Sequence, residues 1–243
     1  MRGRSCLHLL PYWLSSSITA TGALTTATSA TMAPIRIALI GLSQAAKTSW
    51  ASQGHLPYLL SERGRSRYQI VALLNSSEDA ARRAIRAYDL PENVRAYGSP
   101  QNLAADAEVD LVVCSTRVDT HYDAVKPSLE AGKNVYAEWP LAENVTRATE
   151  LSELANKSGS VTLVGLQARV APSVLKVKEV LQSGAIGKVL SSEVQAFTPG
   201  GGGNSISEGL AYFLDKKVGG NPVTIAFAHS ELPKLSDHYQ VPN

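Results

Sequence analysis

Short apolar runs alternate with longer, mixed segments along the first two thirds of the chain. Each run is apolar at nearly every position, which is typical of a strand buried on both faces of a parallel sheet. The intervening segments have helix-forming composition and are bounded by polar capping residues or by glycine. The pattern predicts strands at residues 35–41, 68–75, 109–116, 134–140 and 161–167, and helices at 44–61, 77–89, 120–133 and 144–159.

Single residues mark the predicted helix ends. Ser77 is placed to cap the second helix, and Gly132 and Gly159 are placed to close the third and fourth. Pro127 predicts a kink or a split inside the third helix. Strands that alternate with helices in this way predict an α/β fold, a doubly wound parallel sheet with helices on both faces.

The character of the chain changes near Arg169. A predicted helix at 171–187 leads into a predicted strand at 188–197, followed by a glycine-rich loop and the segment 221–230. These elements indicate the start of a second, sheet-containing α+β domain over residues 169–243. Only 75 residues are left for it, so we expect this domain to be very small or incomplete.

Residues 1–31 are rich in Ser, Thr and Ala and contain no acidic residue. A mitochondrial presequence would be basic and Ser-rich, but this segment has two arginines, Arg2 and Arg4, both at its extreme end. A secretory signal would need a longer apolar centre, and Pro11 interrupts the one present. The third interpretation is an untranslated or disordered extension, with Met32 as the true start.

We expect residues 1–31 to be dispensable for folding, because they show no periodic apolar face. A chain that begins at Met32 should therefore unfold within a few degrees of the full-length chain when both are heated. A large loss of thermal stability would instead show that the leader packs on the domain.

Charge and cysteine usage exclude several classes of protein. The chain has 23 basic and 21 acidic residues, so without Arg2 and Arg4 of the leader the remainder is neutral, 21 against 21. This balance gives no electrostatic reason to expect nucleic-acid binding. No apolar run reaches the roughly 18 residues of a membrane-spanning helix. Cys6 and Cys114 lie far apart with no metal-binding spacing, and the apolar run around Cys114 predicts a buried free thiol.

The turn after the first strand is a candidate phosphate-binding site. It reads GLSQAA at residues 41–46, where a dinucleotide fingerprint would read G-x-G-x-x-G. Ser43 and Ala46 replace two glycines with small residues, so close approach of the backbone is retained. We expect pyrophosphate contacts from Gly41, Leu42, Ser43 and Ala45; the alternative is a tight turn that binds no ligand.

The end of the second strand bears on the choice of cofactor. It carries Asn75 and Ser76 where an acidic residue would select NAD through the ribose hydroxyls. Asn75 can still bind a ribose, and neutral side chains do not repel a phosphate, so NAD and NADP both stay open. Arg82 and Arg83 lie further into the next helix, where solvation is the better interpretation than phosphate binding.

The segment VDLVVCSTRVDTHYDAVKPSLEAGKNVYAEWPLAE (109–143) resembles the Gfo/Idh/MocA oxidoreductase family, named after glucose–fructose oxidoreductase and inositol dehydrogenase. That family combines a strand that ends near the nicotinamide, a T-x-x-x-x-H segment, and A-G-K-x-V followed by E-K-P. The matching residues are Thr116, His121, Gly132, Lys133, Val135, Glu138 and Pro140. The resemblance extends from Ile35 to Gln167 and continues loosely to His229.

The resemblance implies a Rossmann-type NAD(P)-binding domain at residues 32–168. It also implies a sugar or polyol substrate and full-length relatives that form homo-oligomers. Beyond the turn at Gly41 and the end of the second strand, its implied cofactor-binding residues are Thr116, Arg117, His121, Glu138, Trp139 and Gln167.

Two departures from the family pattern bear on activity. Trp139 stands where family enzymes have a proton-carrying Lys, and an indole N–H can only donate a hydrogen bond. His229 matches a substrate-domain histidine and is the candidate catalytic residue. However, Ser230, Glu231 and Leu232 follow it in place of the family's x-x-Asp.

Two functions therefore stay open. The first is an NAD(P)-dependent oxidoreductase acting on a sugar or polyol. The second follows from AEWPLA, GLSQAAK and LQAR, which are similar to a fungal branch of the family that includes a galactose-pathway transcriptional repressor. Such a protein would bind the cofactor and a regulatory protein without turnover. Either function fits a cytoplasmic or nuclear location, and a genuine presequence would indicate mitochondria. We expect neither direct nucleic-acid binding nor membrane association.

Overall fold

A single parallel sheet organises the computed structural model, which describes residues 33–46, 48–191, 193, 195 and 206–229. Its strand order is β3-β2-β1-β4-β5-β6, the order of the doubly wound dinucleotide-binding fold. The predicted parallel sheet is thus confirmed. The strands are β1 (Ile35–Ile40), β2 (Tyr68–Leu74), β3 (Arg95–Tyr97), β4 (Leu111–Cys114), β5 (Asn134–Glu138) and β6 (Thr162–Gly165).

Helices and short helical turns connect the strands and continue beyond them. The α-helices are α1 (Leu56–Leu60), α2 (Glu62–Arg65), α3 (Glu78–Ala87), α4 (Pro100–Ala104), α5 (His121–Glu130), α6 (Val145–Ser158) and α7 (Pro172–Gln182). Two π-helical turns lie at Ala51–His55 and Pro222–Phe227. Four 3₁₀ turns lie at Val118–Thr120, Gln167–Val170, Glu208–Leu214 and Lys216–Val218.

Local capping chemistry fixes the ends of the longer helices. The Ser77 hydroxyl accepts a hydrogen bond from the Ala80 N–H at 3.1 Å and starts α3, as predicted. Asn144 caps α6 through a bond from the Arg147 N–H at 2.9 Å. Gly159 ends α6 in the left-handed conformation, at φ 71°, which glycine adopts without strain.

Two hydrophobic layers cover the two faces of the sheet. Alternate residues of β1 point to opposite faces, so Ile40 packs with α5 and α6 while Leu39 packs with α1 and α3. Cys114 is a buried free thiol, as predicted, and burial raises its pKa to about 11. The sheet is therefore a rigid platform, and its carboxyl edge is where ligand-binding residues collect.

Two predictions for individual helices need correction, and two short elements were not predicted. The expected helix at 44–61 is split into a π-helical turn and α1. The Trp50 ring lies so close over Gly54 that a Cβ there would be 2.5 Å from it. Helix α5 runs unbroken through Pro127. Strand β3 and helix α4 were not predicted, because segments of three and five residues are too short to show a period.

The predicted strand at 188–197 is wrong in the part that can be checked. Residues 188–191, 193 and 195 form no strand, and Leu190 is 88% exposed, with no strand of the described residues paired to it. The described segment 206–229 is also free of strands. Asn221 and Thr224 form a capping box that favours the helical turn at Pro222–Phe227 instead.

The remaining predictions for the chain ends cannot be compared with the structure. The leader at 1–31, most of the glycine-rich loop and the tail at 230–243 lie outside the described residues. Within the described part, no helix is long and apolar enough to cross a bilayer. Nor do the described residues contain a group of three or more His, Cys, Asp or Glu side chains arranged to hold a metal ion.

Candidate functional site

A cleft of about 1110 Å³ lies at the carboxyl edge of the sheet. Residues at or just after the ends of β1, β4, β5 and β6 form one wall, among them Gly41, Thr116, Glu138 and Gln167. The segment 208–229 forms the opposite wall. The cleft thus lies where doubly wound sheets bind their ligands.

Gly41 brings the turn after β1 into direct contact with the end of β4. Its φ is +95°, and a Cβ at this position would lie 2.5 Å from the Ser115 carbonyl oxygen and 2.6 Å from the Thr116 methyl carbon. Only glycine combines this backbone conformation with this close approach. The turn therefore lies against β4 at the point where the strand order reverses.

Side chains within and beside the turn hold its shape. The Asn75 amide donates to the Leu42 carbonyl at 2.9 Å, and the Ser43 hydroxyl accepts from the Ala45 N–H at 3.2 Å. The Leu42 side chain is fully buried in the core, so any ligand contact there would come from its backbone. Ser76 is exposed at the end of β2.

Arg82 and Arg83 of α3 face solvent, as expected. Arg82 pairs with Glu78 one helical turn earlier, and Arg83 is exposed. Neither lines the cleft.

His121 is a buried anchor at the start of α5. It is 1% exposed, and its Nδ1 and Nε2 lie 2.9 Å and 3.0 Å from the carbonyl oxygens of Pro140 and Thr116. The ring joins the segments that follow β4 and β5. These contacts hold the start of α5 in place, and the ring also borders the cleft.

Arg117 is engaged with both walls of the cleft. Its guanidinium donates to the Asp119 carboxylate at 2.6 and 2.7 Å and lies 5.8 Å from the centre of the Tyr212 ring. The Asp119 carboxylate raises the pKa of Arg117 further above its usual value. Arg117 therefore remains a fixed positive charge in the cleft.

Glu138 is the centre of a buried polar cluster, which we call the Glu138 cluster (Glu138, His55, Gln167 and Tyr136). Its Oε1 lies 2.6 Å from His55 Nε2, and its Oε2 accepts from Gln167 Nε2 at 2.7 Å. Burial, followed by the Glu138 charge, raises the pKa of Tyr136, so this phenol stays protonated. Sequence reasoning did not identify His55 as part of this site. Its partner is 83 residues away, and no local pattern could reveal it.

Trp139 spans the two walls. Its indole N–H donates to the Thr224 carbonyl at 2.6 Å, so its one polar group is already engaged within the protein. Behind Thr224 the chain continues through the helical turn to His229, which is partly buried and borders the cleft. Gly219 packs against the backbone of Glu143, leaving no room for a Cβ, and this contact fixes the start of the same segment.

The structure brings most of the predicted site residues to one place. Those that border the cleft are Gly41, Thr116, Arg117, His121, Glu138, Trp139, Gln167 and His229. Leu42, Ser43, Ala45, Asn75 and Ser76 instead build or flank the turn. Sequence reasoning missed Trp50 and Tyr212, which also border the cleft. The position of Trp50 soon after the turn was the available signal.

A second cavity of about 310 Å³ lies behind this wall. It is lined mainly by apolar residues of the sheet and α1, with the His55 ring among them. Trp50 and Gln167 border both cavities, so the Glu138 cluster forms part of the partition between them.

Fold and cleft together define the doubly wound dinucleotide-binding class of fold. The profile of the oxidoreductase family with an NAD-binding Rossmann fold (Gfo/Idh/MocA) matches residues 35–166, more than half of the chain. The chain belongs to this family. The profile of the Gal80p C-terminal domain matches residues 172–231.

The similar curated proteins include a dehydrogenase and a regulatory protein. The dehydrogenase aclE of Aspergillus oryzae is 36% identical over 80% of this chain and 52% of its own length. The galactose/lactose metabolism regulatory protein GAL80 of Saccharomyces cerevisiae is 30% identical over 82% of this chain and 46% of its own. The chain thus spans about half the length of these relatives.

The similar solved structures also include both a regulator and a dehydrogenase. A super-repressor mutant of Gal80p from S. cerevisiae superimposes with a TM-score of 0.66 at 27% identity, covering 82% of this chain and 51% of its own. Myo-inositol dehydrogenase from Lactobacillus casei, solved with NAD(H) and myo-inositol, gives a TM-score of 0.54 at 23% identity. That match covers 64% of this chain and 43% of its own, and it shows the shared fold alone.

Proposed function

We propose that the cleft binds a nicotinamide dinucleotide and that the chain acts as an oxidoreductase on a sugar or polyol. The observation that carries this proposal is the Gly41 turn. It ends the strand at which the sheet order reverses, opens into the cleft, and approaches β4 with no space for a side chain. Such a turn accepts a pyrophosphate in this fold.

The cofactor is NAD or NADP. Asn75 and Ser76 follow β2, where an acidic side chain would favour NAD and repel the additional phosphate of NADP. Because Asn75 already donates to the Leu42 carbonyl, its contribution to ribose binding would come chiefly from its carbonyl oxygen. Both cofactors are compatible with this neutral strand end.

The chemistry would be hydride transfer between a carbinol carbon and the nicotinamide ring, which the bound cofactor supplies. The chain's own part is to hold the substrate and to accept its hydroxyl proton. His229 is the candidate proton carrier on the wall opposite the sheet. Trp139 cannot serve in this role, because it is a donor only and its N–H is bound to Thr224.

A second candidate is a cofactor-binding regulator without turnover, acting through a partner protein in the cytoplasm or nucleus. The hydrogen bond from Trp139 to Thr224 favours this candidate. Trp139 stands at the position of the family's proton carrier, and here its side chain joins the two walls of the cleft instead. The match to the Gal80p C-terminal domain supports it as well. Both candidates require dinucleotide binding, which is therefore tested first.

Ala46→Asp tests binding at the turn. Ala46 is exposed and borders the cleft, so the new carboxylate should repel the pyrophosphate without disturbing the core. We expect titration calorimetry with NAD and NADP to show at least about tenfold weaker binding. Ala107→Asp, an exposed alanine before β4 at the opposite edge of the sheet, is the matched control. Equal affinity in all three proteins would mean that the turn is only structural.

A further inference from the structure

The cleft carries an imbalance of charge that the proposed chemistry does not use. Among the described residues that border it, three are carboxylic acids (Glu138, Glu208 and Asp215) and one is a guanidinium, Arg117. Arg117 is itself paired with Asp119. Trp139, next to Glu138, is neutral where the resembled family has a Lys. At the end of β5 the cleft thus carries a carboxylate with no lysine next to it in the sequence.

Glu138 is the most firmly held of these acids. It is 8% exposed, and His55 and Gln167 engage one oxygen each. Both partners approach it from the partition between the two cavities, since His55 lines the second cavity and Gln167 borders both. A carboxylate in a partly desolvated site acts on a nearby charge far more strongly than one in water.

The position of Glu138 relative to the Gly41 turn indicates what it faces. In this fold the pyrophosphate lies at the turn after β1 and the adenosine half lies toward the end of β2. The nicotinamide half therefore extends to the other side of β1, over the ends of β4 and β5. Glu138 is the last residue of β5 and borders the cleft there.

We infer that Glu138, oriented by His55 and Gln167, makes the cleft select the oxidised nicotinamide over the reduced one. The oxidised ring is a pyridinium cation, whereas the reduced ring is neutral, and the rest of the dinucleotide is the same. A fixed carboxylate stabilises the cation. A Lys at position 139 would offset that carboxylate, and Trp139 does not. The inference rests on the proposed dinucleotide binding.

The test compares oxidised and reduced ligands on the full-length chain. Dissociation constants for NADP⁺, NADPH, NAD⁺ and NADH are measured by titration calorimetry for the native protein and for Glu138→Gln, which retains the shape but removes the charge. The ratio of the reduced-form to the oxidised-form constant cancels contributions from the adenosine half. We expect Glu138→Gln to lower this ratio by about tenfold or more.

Two further variants complete the experiment. Trp139→Lys should lower the same ratio by adding a cation beside Glu138, and it keeps the inference testable if Glu138→Gln unfolds. Glu150→Gln, on the exposed face of α6, should leave the ratio unchanged. If the native chain binds the dinucleotides and both Glu138→Gln and Trp139→Lys show the same ratio as the native chain, this inference is overturned while the proposed function stands. No binding of any of the four dinucleotides to the native chain would overturn the proposed function with it.

Discussion

Trp139→Lys is expected to raise the rate of NAD(P)-linked sugar oxidation by about 10²–10⁴-fold over the native chain. The native indole occupies the position of a proton carrier, yet its N–H is committed to Thr224. A Lys amine there could accept the hydroxyl proton as the hydride leaves. Production of NADH or NADPH, followed by absorbance with myo-inositol, glucose and galactose as substrates, measures the change.

Trp139→Phe is the matched control, because it removes the bond to Thr224 without supplying a base. It should show no gain in rate. If the native chain already turns over at an ordinary enzyme rate, about 1–10³ s⁻¹, Trp139 does not limit the chemistry. His229→Gln should then abolish activity. If no protein in the series turns over while dinucleotide binding is intact, the regulator becomes the better proposal.

Gly41→Ala is expected to destabilise the fold by about 2–4 kcal/mol and to abolish dinucleotide binding. The added Cβ would lie 2.5 Å from the Ser115 carbonyl oxygen, so the turn must move away from β4. Alanine would also have to adopt a φ of +95°. Urea unfolding measures the loss of stability, and calorimetry measures binding.

Gly132→Ala separates the cost of the positive φ from the cost of the steric clash. Gly132 has a φ of +74°, but apart from its chain neighbours no atom lies within 4 Å of the position of its Cβ, so it carries the conformational cost without the clash. That cost is about 1–2 kcal/mol. Equal destabilisation in the two variants would contradict a special role for the close approach. Because Gly41 variants change the fold as well as the cleft, Ala46→Asp remains the cleaner test of phosphate binding.

Local pattern was sufficient for five of the six strands of the sheet and for several helix ends. The strand runs are apolar enough to be recognised singly, and Ser77 and Gly159 act on backbone groups within a few residues of themselves. It failed where an element was too short to show a period, as in β3. It also failed over residues 188–191, 193 and 195, where the surrounding β-branched and apolar residues suggested a strand without showing whether a neighbouring strand was present to pair with it.

The sequence by itself determined the family resemblance, the parallel sheet and the edge of that sheet at which a ligand would bind, because these follow from short-range periodicity and from motifs at strand ends. Only the tertiary structure decided which residues contact one another in the site. His55 reaches Glu138 across 83 residues, and Trp139 reaches Thr224 across 85. Such contacts depend on which distant segments come together when the helices connect the strands of the sheet. The type of a side chain determines whether it can donate or accept a hydrogen bond, whereas the fold determines which partner it meets.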